Sequence, residues 1–566
     1  GYRVLSGGEW SWSETGYMTV VTISTVTDIG ATDNPLKTDV TALVASVSAT
    51  GDVEINSVNG ITLKSVTTQN GSITVAAGNT LTATLVDSSA GSDHDNNITL
   101  TTGAGDISVK TINSGYTNDV TIRAAANITE DGLLSTAILA NDLTLAAGGS
   151  ITVDTSVLSL DASTTEEGGI DIDQIGPITL TNVSTSNGPV TIDVNGALTA
   201  TSISTNTTDS DNNDITLTAY AGNIQLGDLN AGDEGDVTLT SLAPISAQPT
   251  TTPGTSEEGN QILTSLGGIT ELNPTTSVTA DELNVAAQNT VNLHTKVKSL
   301  TASTSKPGDI IILEEDDIAL TSIKPYDGKI RVTAGQINAT YLDLGTANNV
   351  NNTIVLETSS GDIGVSTINA GDKNNVTLTS AGAITEDNDN STLIIAKQLT
   401  ASAAGSIALG TRVESTTITT TGAGDIHLDE ENAIDLTKID AHDGSITVNA
   451  AGLLTATDIT AGDADGTPGT VTLTTTVGNL EVVSINAGNL NDVTLAATSG
   501  VITGNDTPSV DVTARLLTAT AAGTINLDTQ VQSAVVTTTD SGEVVLRETI
   551  PSPLPKSSPK MAMLPP

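Results

Sequence analysis

The sequence lacks cysteine and phenylalanine altogether, and its other aromatic residues amount to two Trp and six Tyr in 566 positions. Without cysteine there is no disulfide framework, no zinc–thiolate cluster and no thiol chemistry. Aromatic side chains dominate the cores of ordinary globular domains, and a chain of this length exceeds what one compact core usually serves. The chain therefore needs an architecture whose interior small aliphatic side chains can fill.

Basic residues are also few, since 19 Lys and Arg face 66 Asp and Glu and leave a formal charge of −47 at pH 7. This charge repels nucleic acid and anionic membrane surfaces, so neither is expected as a partner. No apolar run is long enough to span a bilayer, and membrane insertion is not expected. The charge attracts divalent cations and suits a salty exterior. The plainer explanation is that it keeps a long, Thr-rich surface soluble.

What the sequence has in abundance is repetition. The stretch GDIGVSTINAGDKNNVTL at Gly361 has near-copies at three other glycines, and the steps between the four are 117, 139 and 117 residues. The copies begin at Gly105, Gly222 and Gly478. A second motif, GDVEINSVNGITL in its first copy, keeps the same spacing from Gly51, Gly168, Gly308 and Gly424, and a fifth copy from Gly542 breaks off. Self-similarity at a fixed period is typical of repeat architectures.

The repeats divide the chain into four modules and a truncated fifth. We predict an N-terminal cap or assembly segment at 1–50 and a truncated repeat with a Pro-rich tail at 542–566. The predicted modules 1 to 4 are 51–167, 168–307, 308–423 and 424–541. Module 2 contains an insertion near 243–266, which is either an exposed loop or an added coil, and its prolines favour the loop. The start at Gly1 without a signal segment indicates a processed product or a piece of a longer protein.

A shorter period inside each module predicts the fold. Stretches such as SITVAAG and SITVNAAG alternate apolar and polar residues between Gly, Asn and Asp, which is typical of short, half-buried strands. A glycine also follows each of the first four second-motif glycines by 20 residues. We therefore predict an all-β, elongated parallel β-solenoid (β-helix) of about 20-residue coils in modules of about 117 residues. Tandem immunoglobulin-like β-sandwiches are the alternative, although these usually bury a Trp and no module contains one.

Two groups of residues are candidates for assembly or for turns. Trp10, Trp12 and Tyr17 lie in the N-terminal segment outside the repeats, where an aromatic cluster predicts assembly contacts at the end of a solenoid. One Asn recurs eight residues after each opening glycine, at Asn113, Asn230, Asn369 and Asn486. These residues are either repeated ligands or turn formers, and the turn interpretation is favoured because Asn bonds its own backbone and tolerates left-handed geometry.

The sharpest candidates for a ligand site are acidic turns just upstream of the opening motif. Three modules carry Asp-x-Asp there, and carboxylates in a turn are ligands that Ca²⁺ prefers. The candidate metal ligands are Asp93, Asp95, Asp209, Asp211, Asp463 and Asp465. Module 3 has ANNVNN at this place, so a calcium site would not be universal. Ordinary solvated loops are the alternative interpretation.

We expect no enzyme activity. The acidic clusters 314–317 and 429–432 could serve glycoside hydrolysis, but they occupy a position that is repeated in every module, whereas a catalytic site is normally unique. The four His residues, at 94, 294, 427 and 442, form no ligand spacing or triad.

The Gly-punctuated phrases AGSIAL, GDIHL and ITL resemble those of long bacterial cell-surface proteins with β-strand repeats, of the filamentous-haemagglutinin and S-layer-like kinds, over roughly residues 43–547. The resemblance implies a secreted, non-enzymatic structural protein of the cell exterior that forms or presents a surface filament, layer or adhesin. Self-assembly into a homo-oligomer or filament, surface glycans as partners and stabilisation by Ca²⁺ accompany this expectation. A polysaccharide-binding or polysaccharide-cleaving β-helix protein is the alternative.

Overall fold

The computed structural model describes residues 2–6, 9–13, 20–90, 95–130, 137–205, 213–231, 235–241, 243, 245–247, 261–265, 267–271, 278–344, 352–386, 393–462, 469–505 and 509–549. The chain divides into two compact units, residues 1–308 and 309–566. Both are all-β, and together they form about 22 turns of parallel β-solenoid with no helix in the described ranges. The predicted fold class is confirmed, and the sandwich alternative is not favoured.

The described residues of the first unit form 29 strands. They are β1 Tyr2–Ser6, β2 Glu9–Ser13, β3 Val21–Thr25, β4 Leu36–Thr38, β5 Ala42–Thr50, β6 Val53–Ser57, β7 Ile61–Asn70, β8 Ile73–Ala77, β9 Leu81–Ala83, β10 Val86–Asp87, β11 Ile98–Thr102, β12 Ile107–Val109, β13 Thr111–Asn113, β14 Val120–Ala124, β15 Ile128–Glu130, β16 Ala137–Ala147, β17 Ile151–Thr164, β18 Ile170–Ile175, β19 Ile178–Ser184, β20 Val190–Asn195, β21 Leu198–Ser204, β22 Ile215–Ala219, β23 Ile224–Asn230, β24 Val237–Ser241, β25 Ile245–Ala247, β26 Gln261–Ser265, β27 Ile269–Glu271, β28 Val278–Ala287 and β29 Val291–Thr304.

In the part of the second unit that the structure describes there are 23 strands. They are β30 Ile310–Glu314, β31 Ile318–Lys324, β32 Ile330–Ala334, β33 Ile337–Asp343, β34 Thr353–Thr358, β35 Ile363–Asn369, β36 Asn375–Ser380, β37 Ile384–Glu386, β38 Leu393–Ala403, β39 Ile407–Thr420, β40 Ile426–Glu430, β41 Ile434–Ala441, β42 Ile446–Ala450, β43 Leu454–Ala456, β44 Ile459–Ala461, β45 Val471–Thr475, β46 Leu480–Val482, β47 Ile485–Asn486, β48 Asp492–Ala497, β49 Ile502–Gly504, β50 Val512–Ala521, β51 Ile525–Thr538 and β52 Val544–Glu548.

The core of each unit is a stack of aliphatic side chains. Every buried hydrophobic residue in the described ranges is Ile, Leu, Val or Ala, as the scarcity of aromatic residues requires. Along one ladder Ile172 of β18 lies against Ile192, then Leu217, then Leu239, each in register with the next and none with exposed surface. The residues between them point outward, because successive side chains of a strand alternate between its two faces.

The insertion of module 2 adds a coil. Strand β25 pairs with β23 and β27, and β26 pairs with β24 and β28, all in parallel. The interpretation of this segment as a loop was therefore wrong for its paired parts, 245–247 and 261–265. Those parts are free of proline, so the ladder loses no backbone donor there. All three prolines of the insertion lie outside the described residues.

A ladder is a series of strands that pair from one coil to the next. Strands at the same position of two consecutive modules belong to different ladders, and we call this the exchange of ladders. The first strand of module 1, β6, stacks through β8, β11, β14, β16 and β17 onto β19. Its neighbour β7 stacks through β9, β12, β15 and β17 onto β18, the first strand of module 2. The same exchange carries β30 to β41 and β31 to β40 in the second unit. Equivalent strands of two consecutive modules thus lie on different ladders.

The exchange takes place at long strands that pass a corner of the coil without a break. In β39, residues 407–411 pair with β40 and residues 415–420 pair with β41. In β17, residues 151–155 pair with β18 and residues 159–163 pair with β19. We call residues 156–158 and 412–414, which lie between the paired segments, the corners of these strands.

Replacement of a core residue tests the stacked interior. We expect Leu217→Ala to lower the free energy of unfolding by about 2–5 kcal/mol, because the cavity is enclosed by Ile192 and Leu239 in the coils on either side. Thr216, the outward-facing neighbour, gives the matched control. Thr216→Ala should change the free energy of unfolding by less than about 0.5 kcal/mol. Urea unfolding followed by circular dichroism measures both. Equal effects of the two substitutions would contradict the assignment of the two faces.

Candidate functional site

The recurrent Asn residues of the opening motif form turns. The side-chain oxygens of Asn113, Asn369 and Asn486 accept hydrogen bonds from the backbone N–H two residues later, at 3.0, 3.1 and 3.0 Å. The donors are Gly115, Gly371 and Gly488, and their φ angles are +75°, +72° and +69°. An Asn that binds the N–H of a left-handed Gly is an Asx turn. The turn interpretation is therefore confirmed at Asn113, Asn369 and Asn486; the residue two positions after Asn230 lies outside the described residues.

The acidic residue later in the same motif ties one coil to the next. Asp119 accepts a hydrogen bond at 3.1 Å from the side-chain amide of Asn141, in the following coil. Asp492 receives two bonds, at 2.9 and 2.7 Å, from the guanidinium of Arg515. Both carboxylates are already engaged within the solenoid, so these positions serve the stacking of coils.

Hydrogen bonds join the described residues on either side of two acidic turns, and we call each such pair a closed base. In module 1 the Ser88 hydroxyl donates to the carbonyl of Asn96, whose buried side chain accepts from the Gly71 N–H at 2.6 Å. In module 2, Thr205 and Asn213 make the equivalent pair, and the Asn213 side chain accepts from the N–H of Gly188 at 2.9 Å. The described residues that flank these two acidic turns are thus hydrogen-bonded to each other and to the preceding coil.

The structure describes only part of the predicted site residues. Asp95 is exposed, and its backbone carbonyl accepts a hydrogen bond from the Ser72 hydroxyl at 2.6 Å. Trp10 and Trp12 lie on β2, which pairs antiparallel with β1, and their side chains are outside the described part. The other predicted site residues lie outside the described residues altogether: Tyr17, Asp93, Asp209, Asp211, Asp463 and Asp465. The calcium and assembly interpretations therefore stay predictions.

A row of carboxylates crosses the outer face of module 2. Asp154, Asp173 and Asp193 are in register on three adjacent coils, and Asp171 lies two residues before Asp173. Partial burial, followed by the neighbouring carboxylates, raises the pKa of Asp154, Asp171 and Asp173. No group of three or more His, Asp or Glu in the described ranges has the geometry of a metal site. The alternation in IDID of module 2 is the sequence signal for this row, which the sequence analysis missed.

A buried polar side chain closes the corner of β17 and that of β39. At the corner of β17, Gln174 accepts a hydrogen bond from the Thr155 hydroxyl at 2.6 Å and from the Val157 N–H at 3.2 Å. At the corner of β39, Glu430 accepts from the Thr411 hydroxyl at 2.7 Å and from the Val413 N–H at 3.2 Å. We call this arrangement the corner clamp. It satisfies a backbone donor that the interrupted ladder leaves without a strand partner.

The clamp residues share one position of the repeat, six residues after the second-motif glycine, where the five copies have Ser57, Gln174, Glu314, Glu430 and Glu548. Among the described residues the buried Ser57 hydroxyl has no hydrogen-bond partner, so that copy does not form the clamp. Glu314 and Glu430 belong to the two acidic clusters considered above for hydrolysis, and both are only 4% exposed. Burial is the main cause that raises the pKa of Glu430 to about 7, with a smaller contribution from Glu431. The shared position of these residues in the repeat could be seen in the sequence. Their burial could not, because it depends on the register of the strand, which the sequence does not give.

A groove of about 400 Å³ lies beside the corner of β39. Its polar lining consists of Asn369, Asp372, Arg412, Glu414 and Asn432. The equivalent place in module 1 is bridged by Tyr116 and Ser156, whose hydroxyls are 2.9 Å apart. In module 4 it is bridged by a hydrogen bond of 2.8 Å from the Gln532 side chain to the Asn489 carbonyl.

Comparison with known proteins found no match. The chain matches no family model, no curated protein sequence and no solved structure. Across the described ranges no helix is both long enough and apolar enough to cross a membrane.

The turn interpretation predicts a stability effect at Asn486 and Gly488. Asn486→Ala removes the side-chain acceptor and should cost about 1 kcal/mol of unfolding free energy. A Cβ added at Gly488 meets nothing within 4 Å, so Gly488→Ala should cost about 1–2 kcal/mol through its left-handed backbone alone. Thermal unfolding measures both, and Leu490→Ala at an exposed position is the control. Weaker calcium binding with unchanged stability would instead favour the ligand interpretation.

Proposed function

We propose that the chain is a non-enzymatic structural protein whose solenoid spaces and presents repeated surface turns. The observation that carries this proposal is the exchange of ladders between modules. Asn96 ends its acidic turn next to β11, on the ladder that begins at β6, whereas Asn213 ends its turn next to β22, on the ladder that begins at β7. Consecutive modules therefore present equivalent turns at different corners of one continuous core.

The surface chemistry supports a place outside the cell. The chain combines a charge of −47 with the absence of cysteine, and its repeats resemble those of bacterial cell-surface filaments, layers and adhesins. The proposed protein is secreted, is exposed on the cell surface, and assembles with further copies of itself into a filament or layer. Copies with this charge repel one another, so their association needs cations between them.

The acidic turns are the proposed source of that cation dependence. Asp-x-Asp carboxylates at a fastened turn offer hard oxygen ligands to Ca²⁺. The closed bases at Ser88–Asn96 and Thr205–Asn213 hold the two ends of each turn together, which lowers the entropy that the turn loses when it binds a cation. In this proposal Ca²⁺ neutralises the turns and supports self-assembly.

Calcium titration with substitutions in single modules tests the proposal. We expect isothermal titration calorimetry to give about three sites, with Kd near 10⁻⁴–10⁻³ M as in extracellular modules. Replacing both Asp residues by Asn in one acidic turn, as in D93N/D95N, should remove one site. The matched gain-of-site variant is N349D/N351D, which places Asp-x-Asp at the equivalent position of module 3 and should add one. Electron microscopy should show ordered assemblies with Ca²⁺ and their loss with a chelator; stoichiometry unchanged in both variants would contradict the proposal.

Glycan binding is a second candidate function, which the groove of module 3 favours. Its volume falls in the range of small-molecule sites, and its carboxylate, guanidinium and amide groups are hydrogen-bond partners for sugar hydroxyls. We expect Arg412→Ala to weaken binding to a surface polysaccharide at least tenfold on a glycan array. Arg515→Ala, which removes an exposed guanidinium elsewhere in the same unit, should leave it unchanged. An equal loss of polysaccharide binding in both variants would indicate nonspecific charge attraction. Release of shortened polysaccharide chains would indicate an enzyme.

A further inference from the structure

The corner clamp occurs with two different side chains, and the difference is informative. Gln174 binds the corner residue Val157 from both sides: its side-chain oxygen accepts from the Val157 N–H, and its side-chain amide donates to the Val157 carbonyl at 2.9 Å. An amide can do both because it carries a donor and an acceptor. The corner of β17 is therefore held by two hydrogen bonds in every protonation state of the protein.

Glu430 occupies the same position with a carboxyl group. Its oxygens accept from Thr411, from the Val413 N–H at 3.2 Å and from the Asn432 N–H at 3.2 Å. An ionised carboxylate has no hydrogen to donate, whereas a protonated carboxyl has one O–H donor and keeps acceptor capacity. Only the protonated form can thus reproduce the two-sided contact that Gln174 makes.

We propose that Glu430 is a proton-controlled clamp of the β39 corner, which binds Val413 from both sides when it is neutral and from one side when it is ionised. The clamp would hold the corner, and with it one wall of the module 3 groove, more tightly in acid than in alkali. Val413, Arg412 and Glu414 form both the corner and part of the groove lining, so a looser corner changes the shape of the groove. This inference does not depend on the proposed function.

The surroundings of Glu430 support this behaviour. Its side chain is 4% exposed, and β42, which pairs with β40 on the other side, carries no titratable residue. The titratable and charged groups around it are His427, Asp429 and Glu431 beside it, Arg412 and Glu414 on β39, Lys397 on β38, Glu386 of β37, which accepts a hydrogen bond from the Gly410 N–H, and Asp372 in the groove. Among them only Glu431 contributes to its shift, and burial contributes more, so that its pKa lies near 7.

The direction of the pH effect follows from this raised pKa. The folded chain holds the proton of Glu430 more tightly than the unfolded chain, whose carboxyl has its ordinary pKa of 4.5. The stabilisation is therefore fully present below about pH 4.5 and is lost as the pH rises through about 7. A difference of about 2.5 pKa units sets an upper limit of about 300-fold on the change in the opening equilibrium.

Three single substitutions test the clamp. Glu430→Gln supplies the amide that module 2 has naturally, and Gln174→Glu transfers the carboxyl to module 2. Glu548→Gln is the matched control, since Glu548 makes the same bonds to Thr529 at 2.8 Å and to the Val531 N–H at 3.0 Å but is exposed to solvent. Hydrogen–deuterium exchange of peptides covering residues 411–416, 155–160 and 529–534, from pH 4 to pH 9, reports the opening of each corner. Rates are divided by those of the unfolded chain at the same pH.

We expect the ratio of corner opening in the wild type to that in E430Q to be constant below about pH 4.5, to rise tens of fold or more between about pH 4.5 and pH 7, and to level off above pH 7. Q174E should acquire the same dependence at its own corner, and E548Q should show none. The other carboxylates of the chain are common to both members of each pair and cancel in the ratio. A ratio for E430Q that does not change with pH would overturn the proposal. If E430Q does not fold, the result for Q174E decides alone, and a pH-independent corner in that variant would overturn it equally.

Discussion

The structure depends on one constraint, namely that every coil must lie in register on the coil before it at a single strand spacing of about 4.8 Å. A side chain that points inward has an equivalent neighbour above and below, so its volume must suit both. Ile, Leu, Val and Ala satisfy this condition throughout the described core. Large rings would force adjacent coils apart or demand compensating small residues. The absence of Phe and the fold are therefore two consequences of the same requirement.

Register also decides where polar side chains are needed. Wherever a strand continues on a straight ladder, the neighbouring coils satisfy its backbone. Where the coil turns, the backbone leaves the ladder, and a side chain must take over. The Asx turns at Asn113, Asn369 and Asn486 do so at one bend. The corner clamp binds the free backbone N–H at another bend. Its side chain is longer, because Gln174 or Glu430 must reach the corner from the next coil. The most regular polar positions of the sequence thus mark the places where the ladder is interrupted.

This distinction explains what could be predicted from the sequence. Alternation and the glycine period depend on local geometry, and they predicted the strands and the parallel solenoid. The Asn residues were assigned to turns for the same local reason. The ladder exchange could not be foreseen, because it depends on how many residues each coil uses in space. For the same reason the added coil of module 2 was interpreted as a loop, and Glu430 was seen only as one member of an acidic cluster. Its burial follows from the register of β39 on β40.

The acidic composition can be understood in the same terms. An outward-facing position recurs in every coil, so like charges on adjacent coils stand in register, as Asp154, Asp173 and Asp193 do. Such a row binds protons more tightly in the folded chain than in the unfolded one, as the raised pKa values of Asp154 and Asp173 show. Partial burial, and to a smaller extent the repulsion between these carboxylates, therefore destabilises the ionised row, and protonation in acid relieves both. Cations at the fastened turns would relieve the same repulsion at neutral pH, where the carboxylates are ionised. In the proposed function, protons and divalent cations would thus both lower the negative charge of the solenoid.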